Sequence, residues 1–294
     1  MAIRFDDIGD RLRAFRMGSG LSADQVAKKI GISRAALYRY EKGEVAKIDT
    51  LDRMANLLGV SVPTLLGVGV EYISSAVSFF ERMRQIEETA EHIIVLFGPV
   101  SYLLTSDRYD DALEAVLTEA VSDDLPDRDR ARAEITEIME ILRARKAHFR
   151  ERQPSVACLI SWLELQRFLS NGLVGRPDLD RKTVKERRRL AFDEIESIAT
   201  LMDEEPIGVQ IGIVRDTLPQ SSFQIFRQPD REVLAVSPFR LGERPNVRIG
   251  VGMITSAPEA LELHEETAEA LWRRAIKGPE AARLAREALE KYAG

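Results

Sequence analysis

One cysteine, Cys158, stands in the whole chain, so no disulfide can close within it and a thiolate metal cluster has no ligand set. Histidine is scarce too: His92, His148 and His264 lie far apart and form no metal-ligand spacing. No run of about eighteen apolar residues occurs, and neither end pairs a basic region with an apolar stretch. A membrane span and a secretory leader are therefore not expected, and the chain reads as cytoplasmic. Catalytic signatures are missing as well. There is no phosphate-binding Gly-rich loop and no GxSxG elbow, and His264-Glu265 opens a zinc-protease pattern that fails at Ala268. No catalytic residue, metal or cofactor is expected, and an enzyme is the less favoured class.

What is present is a soluble globular composition, 45% hydrophobic and 31% charged, on 294 residues, enough for two domains. The net charge of −6 is unevenly spread. Residues 1–67 carry 11 Lys/Arg against 8 Asp/Glu, whereas the remainder carries 31 against 40. A small basic head on a larger acidic body suits a nucleic-acid reader joined to a second domain.

The head divides into helices with their own start and stop signals. The first, about Asp7 to Arg16, places Ile8, Leu12 and Phe15 on one face. Ser22 opens the second with Gln25 three residues on, the spacing of a capping box. Its inner face is Val26, Ala27 and Ile30, and Gly31 closes it. Ser33 caps a third helix running through Glu41, and Asp49 precedes a fourth with Leu51, Met54, Ala55 and Leu58 inward. Ser61 caps a last short helix with Leu65 and Leu66. On the third, Ala36, Leu37 and Tyr40 point one way, while Arg34, Ala35, Tyr38, Arg39 and Lys42 point the other. Such a cationic and aromatic outer face is costly to bury and suits a major groove. Arginine can bond a guanine edge bidentately, and tyrosine can pack on a thymine methyl or bond a phosphate.

The stretch LSADQVAKKIGISRAALYRYEKGEVAKIDTLDRMANLLGVSVPTLL resembles the helix-turn-helix of the XRE family, relatives of lambda-type repressors and Cro. The similar features are Leu21-Ser22, Gln25-Val26-Ala27, Gly31-Ile32-Ser33, Tyr40-Glu41-Lys42-Gly43 and Leu57-Leu58-Gly59-Val60-Ser61. The resemblance spans residues 6–67 and implies an all-α, five-helix lambda repressor-like domain that binds double-stranded DNA. It implies base-edge contacts from Arg34, Ala35, Tyr38 and Arg39. Lys42 and the backbone N–H groups around Ser22 and Ala23 would then meet phosphates. Many relatives carry glutamine where this chain has Ala23, so a contact from that side chain is lost.

Beyond residue 67 a mixed α/β (α+β) domain is expected: a connecting helix within 68–91, then a body over 92–294. Ile73, Val77, Phe80, Met83 and Ile86 make a stripe that suits a core face or a dimer seam. His92–Phe97 reads as a strand. Helices are expected at Asp107–Val121 and Ala133–Arg150, and Leu159–Leu169 reads as a buried helix or a strand–helix element. The basic run Arg181–Arg189 suits a solvated helix face paired with the acids that follow, or a DNA-backbone contact. A β-rich stretch from Ile207 with turn signals at Pro219, Pro229 and Leu241-Gly242 precedes two closing helices, about Pro258–Lys277 and Pro279–Tyr292. The layout also resembles, weakly, a phospholipase D-like domain. Catalytic members of that family carry His-x-Lys. Here Ile94, Arg150 and Glu266 stand two residues after each histidine, which implies a domain without catalysis.

The expected function is a sequence-specific transcriptional regulator, homodimeric on an inverted-repeat operator, with the body supplying dimerisation and effector sensing. Arg240, Arg244 and Arg248 flank a turn beside Ser237 and are candidates for an acidic small-molecule effector, or are simply solvated. Ser221-Ser222, Thr255-Ser256 and Trp272 are further cleft candidates. The alternatives are an antitoxin-like protein-interaction module and a DNA-targeted enzyme.

Overall fold

The computed structural model describes residues 5–44, 46–96, 98–176, 178–215 and 221–293. The head holds α1 (Phe5–Gly18), α2 (Ala23–Ile30), α3 (Arg34–Glu41), α4 (Ile48–Leu58) and α5 (Val62–Leu66). Their apolar faces meet in one cluster that includes Leu12, Val26, Leu37, Met54 and Leu65. Caps set most of the boundaries: Ser22, Ser33 and Ser61 each accept a backbone N–H from the first turn of their helix. The fourth helix starts earlier than its acid suggested. Lys47 is the N-cap, and Asp49 lies inside the first turn, where its charge complements the helix dipole.

The body is an eight-stranded mixed sheet in the order β1-β7-β6-β5-β2-β3-β4-β8. Its strands are β1 (Val70–Ile73), β2 (His92–Leu96), β3 (Ser155–Ser161), β4 (Val209–Val214), β5 (Ser222–Arg227), β6 (Glu232–Ser237), β7 (Gly252–Thr255) and β8 (Ile276–Lys277). β2, β3 and β4 run parallel, and the other neighbours are antiparallel. The helices are α6 (Ala76–Glu87), α7 (Asp107–Glu119), α8 (Arg128–Arg152), α9 (Trp162–Asn171), α10 (Arg181–Glu204), α11 (Pro258–Arg274) and α12 (Gly278–Tyr292). Alternation along the strands sorts side chains between two faces. Ile93, Val95, Val156, Cys158 and Ile160 join α6 to α10 and α12 in the main core, which is continuous with the core of the head. Leu96, Leu159, Phe223, Ile225 and Leu234 form a smaller core on the opposite face with α11. No helix among the described residues is long and apolar enough to cross a membrane.

The expected connecting helix over 68–91 is corrected. Its first part is β1, an edge strand paired with β7 in the register Tyr72↔Met253, and only Ala76–Glu87 is helical. Helical spacing runs through Glu71 and Ile73, but Val70, Tyr72 and Ile73 are β-branched or aromatic, and Ser75 caps a new helix after them. The stripe of Ile73, Val77, Phe80, Met83 and Ile86 is consumed by the protein's own core, which leaves no seam there for a second copy. Leu159–Leu169 resolves into the end of β3 and most of α9. The last turn of the expected helix to Lys277 is instead β8, which extends the sheet beside β4. Phe97 and the turn signal at Pro219 lie outside the described residues.

Head and body are joined by buried charge. Arg11 of α1 donates to Glu71 of β1 at 2.6 Å, and Arg82 of α6 reaches the same carboxylate at 3.0 and 3.1 Å. All three residues are buried. Around them Gln85 donates to the Asp10 carbonyl, Ser78 to the Ala14 carbonyl, and Arg231 pairs with Asp7. Burial alone would raise the Glu71 pKa, but the charges of Arg82 and Arg11 and their hydrogen bonds outweigh it and hold the carboxyl below its ordinary value.

Replacing Glu71 by Gln leaves two buried guanidinium groups without their anion, with an expected loss of ~3–5 kcal/mol in urea unfolding. The linkage carries a sign. A depressed folded-state pKa contributes its stability above the unfolded carboxyl value, about 4.3, and loses it as pH falls towards the folded value. Unfolding midpoints of the parent should therefore drop as pH falls below about 5, and those of Glu71→Gln should drop less.

Candidate nucleic-acid interface

The geometry of α3 follows from what flanks it. Gly31, at φ 74°, ends α2 in the left-handed conformation, and its N–H bonds the Ala27 carbonyl. A Cβ there would sit in ordinary contact, 3.7 Å from the Arg53 guanidinium, but would strain the backbone. From α4, Arg53 caps the α2 terminus by donating to the Ile30 carbonyl at 2.7 Å. Ser33 then starts α3, and Leu37, 2% exposed, anchors it to the core. At the far end Glu41 receives a two-point ion pair from Arg16 of α1, at 2.5 and 3.0 Å. Burial opposes the Arg16 charge, but the hydrogen bond and charge of Glu41 prevail and raise its pKa.

Held at both ends, α3 presents Arg34, Ala35, Tyr38, Arg39 and Lys42 to solvent, with Ala36 and Tyr40 half-buried behind them. The expected base-edge residues therefore share one exposed face. They are not bare. Arg34 donates to Asp24 and to the Tyr38 hydroxyl, both at 3.1 Å, with its guanidinium 5.3 Å from the Tyr38 ring centre. Arg39 lies 3.3 Å from Glu44. Exposed pairs of this kind contribute little and exchange readily for a better acceptor. Asp24 was missed by sequence reasoning; its signal is an acid ten residues before Arg34, on the other side of the turn.

The phosphate candidates divide. Lys42 is exposed at the C-cap of α3. The N–H of Ser22 is already taken by the Gln25 side chain at 2.8 Å, completing the capping box. Ala23 buries its methyl group but starts the helix, so its amide and that of Asp24 are those an α-helix leaves without an internal acceptor. In the basic run Arg181–Arg189, Arg181, Lys182, Lys185 and Arg189 lie on the exposed face of α10, and only Arg187 and Arg188 turn into the body. Arg187 bonds the Ala112 carbonyl and Glu119, and Arg188 bonds the Leu169 and Tyr292 carbonyls.

The three effector candidates are not brought together. Arg240 and Arg244 line a cleft of about 120 Å³ with Glu164, Arg167, Ser222 and Glu243, beyond the carboxyl ends of β2 and β3. Arg248 lines a separate cavity of about 430 Å³ between the end of α1 and the starts of α6 and α8. Thr255 and Ser256 sit instead beside Arg11 and Glu71. Trp272 belongs to yet another cleft, on the α11 face. His264 bonds the Ala260 carbonyl within α11 and stacks edge-on against Phe223.

Residues 7–66 match the family described as a helix-turn-helix domain. Over 55 residues the chain is 36% identical to a Pyrobaculum aerophilum protein provisionally named an HTH-type transcriptional regulatory protein. That similarity covers 18% of this chain and 22% of the other, so the chain spans about a fifth of the length of the curated relative it matches.

Replacing Gly31 by Ala forces a Cβ into the left-handed region without a clash, so the expected cost is backbone strain alone, about 1–2 kcal/mol. Urea denaturation followed by ellipticity measures it, and an unchanged midpoint would contradict the turn geometry.

Proposed function

We propose that this chain is a sequence-specific, DNA-binding transcriptional regulator of XRE type that acts as a homodimer in the cytoplasm. The observation that carries the reading is the face of α3. Two arginines, a tyrosine and an alanine lie exposed on one side of a helix that is buried on the other, inside a domain that matches the helix-turn-helix family. In this reading Arg34 and Arg39 leave Asp24 and Glu44 for guanine edges, Tyr38 and Ala35 pack on thymine methyls, and Lys42 meets phosphate with the amides of Ala23 and Asp24. One recognition helix reads only a few base pairs, so two half-sites about one helical turn apart supply the rest.

The body then serves as a non-catalytic dimerisation and sensing domain, akin to a phospholipase D-like domain without its His-x-Lys motif. Its β–α units followed by an antiparallel run support the likeness. The cleft beside Arg240 and Arg244 suits an acidic effector, whereas Arg248 faces a different cavity and drops out of that site.

Selection of fragmented genomic DNA by the full-length protein should return an inverted repeat; recovery of no preferred sequence would overturn the reading. Arg34→Ala should weaken binding to the selected site by roughly ten- to hundredfold and relax preference at one position of each half-site. Lys42→Ala should weaken binding to all sequences alike and reduce the salt slope by about 1 per half-site. An Arg34→Ala protein with unchanged ellipticity and unchanged sequence preference would remove Arg34 from the contact set.

A further inference from the structure

Opposite the thick helical layer, α11 covers its sheet face incompletely. Near the amino ends of β2, β3 and β4 it leaves a cleft of about 310 Å³, at the low end of the ~300–1,000 Å³ usual for small-molecule sites. Strand register lays out the floor in rows. Arg227, His92 and Ser155 are neighbours across β5, β2 and β3, and Ile94, Ala157 and Gln210 form the next row across β2, β3 and β4. Beyond them Leu159 lies beside Gly212. The middle row is where a covering helix would normally bury its floor. Instead Gln210 is exposed, and Ile94 and Ala157 are only half-buried.

The wall is Trp272 of α11. It lies so close to the bare backbone of Gly212 that a Cβ there would sit 3.3 Å from the indole ring and 2.8 Å from the Ala275 methyl. The ring is thus seated on the strand at the apolar end of the cleft. At the opposite end, the Ser155 hydroxyl donates to the Glu91 carbonyl at 3.2 Å and lies 2.7 Å from His92 Nδ1, which in the tautomer protonated there donates to it. In that tautomer the neutral ring leaves Nε2 as an acceptor. Burial, aided by the nearby Arg227, holds the His92 pKa below its ordinary value and so favours the neutral ring. The charged rim is internally matched: Arg227 pairs with Glu232 and Glu265, and Arg273 with Glu269. An ionic ligand would have to displace one of these partners, whereas an uncharged one would not.

We infer that this cleft binds an uncharged, planar aromatic molecule whose ring lies against Trp272, Ala157 and Ile94 and whose single N–H or O–H donates to His92. The site is distinct from the arginine-lined cleft. Its use as an effector site rests on the DNA-binding reading, but the binding itself does not.

Trp162 and Trp272 are the two tryptophans of the chain, so Trp162→Phe in the full-length protein makes Trp272 the sole indole reporter. Titration with 2-naphthol, without DNA, should quench Trp272 saturably in the micromolar range. The analogue 2-methoxynaphthalene, which lacks the donor, should bind about tenfold more weakly. Ala157→Leu, which fills the floor, should abolish the quenching. His92→Phe, which keeps a ring but removes the acceptor, should reduce 2-naphthol to the level of the methoxy analogue. No saturable change in Trp272, or parent-like binding by both variants, would overturn the site. Equal affinity for the two naphthalenes would overturn the role of His92. Failure of DNA binding in the separate genomic selection would leave all of these outcomes readable.

Discussion

A single buried carboxylate, Glu71, decides how this molecule is assembled. It belongs to an edge strand of the body, yet its two cationic partners come from different places: Arg11 from the first helix of the head and Arg82 from the first helix of the body. With all three groups out of water, none can be released without leaving a charge uncompensated in the interior, a far larger cost than a surface ion pair. The head is therefore not a bead on a flexible tether. Its α1 is packed on α6, its core is continuous with the core of the body, and Asp7 and Asp10 add further bonds across the junction. In a dimeric regulator of the proposed kind, the spacing of two recognition helices would be set by the body rather than by a linker.

The sheet imposes the second constraint. Parallel neighbours need crossover connections, and the helices that join β2 to β3 and β3 to β4 pack on one face with α6 and α12. Among the described residues, the other face has α11 alone. This imbalance gives the body a thick side and a thin side, with accessible clefts at opposite ends of the same strands. The arginine-lined cleft lies beyond the carboxyl ends of β2 and β3, where the sheet changes from parallel to antiparallel pairing at β2. The second lies near the amino ends, where α11 stops short of covering the floor.

Arginine plays two opposite parts in the molecule, although the sequence spells it the same way. Arg11, Arg82 and Arg145 are buried against carboxylates, Arg145 gripping Glu87 at 2.7 and 2.8 Å, and their task is to hold elements in place. Arg34 and Arg39 are exposed and bonded to exposed acids, a weak arrangement that exchanges readily. Burial, rather than residue type, separates the structural cations from those left exchangeable at the surface.

The head was largely legible in the sequence because its information is local. Capping serines at Ser22, Ser33 and Ser61, the closing Gly31, and apolar residues at helical spacing act over a few residues, so they marked the helices and the outward face of α3 before any fold was known. The body was legible only in outline. Alternation exposed the late strands, but helical spacing through Glu71 and Ile73 hid an edge strand whose partner, β7, lies some 180 residues away. Likewise, Arg240, Arg244 and Arg248 look like one cluster along the chain, yet an isolated bridge between Arg240 and Asn246 folds the segment back, and Arg248 faces another cavity. The sequence by itself determined the helices of the head, the outward face of α3 and the mixed character of the body, through periodicity, caps and turn residues. Only the tertiary structure decided which acids hold which arginines, where the edge strand pairs and where the clefts open, because each depends on groups brought together across long loops.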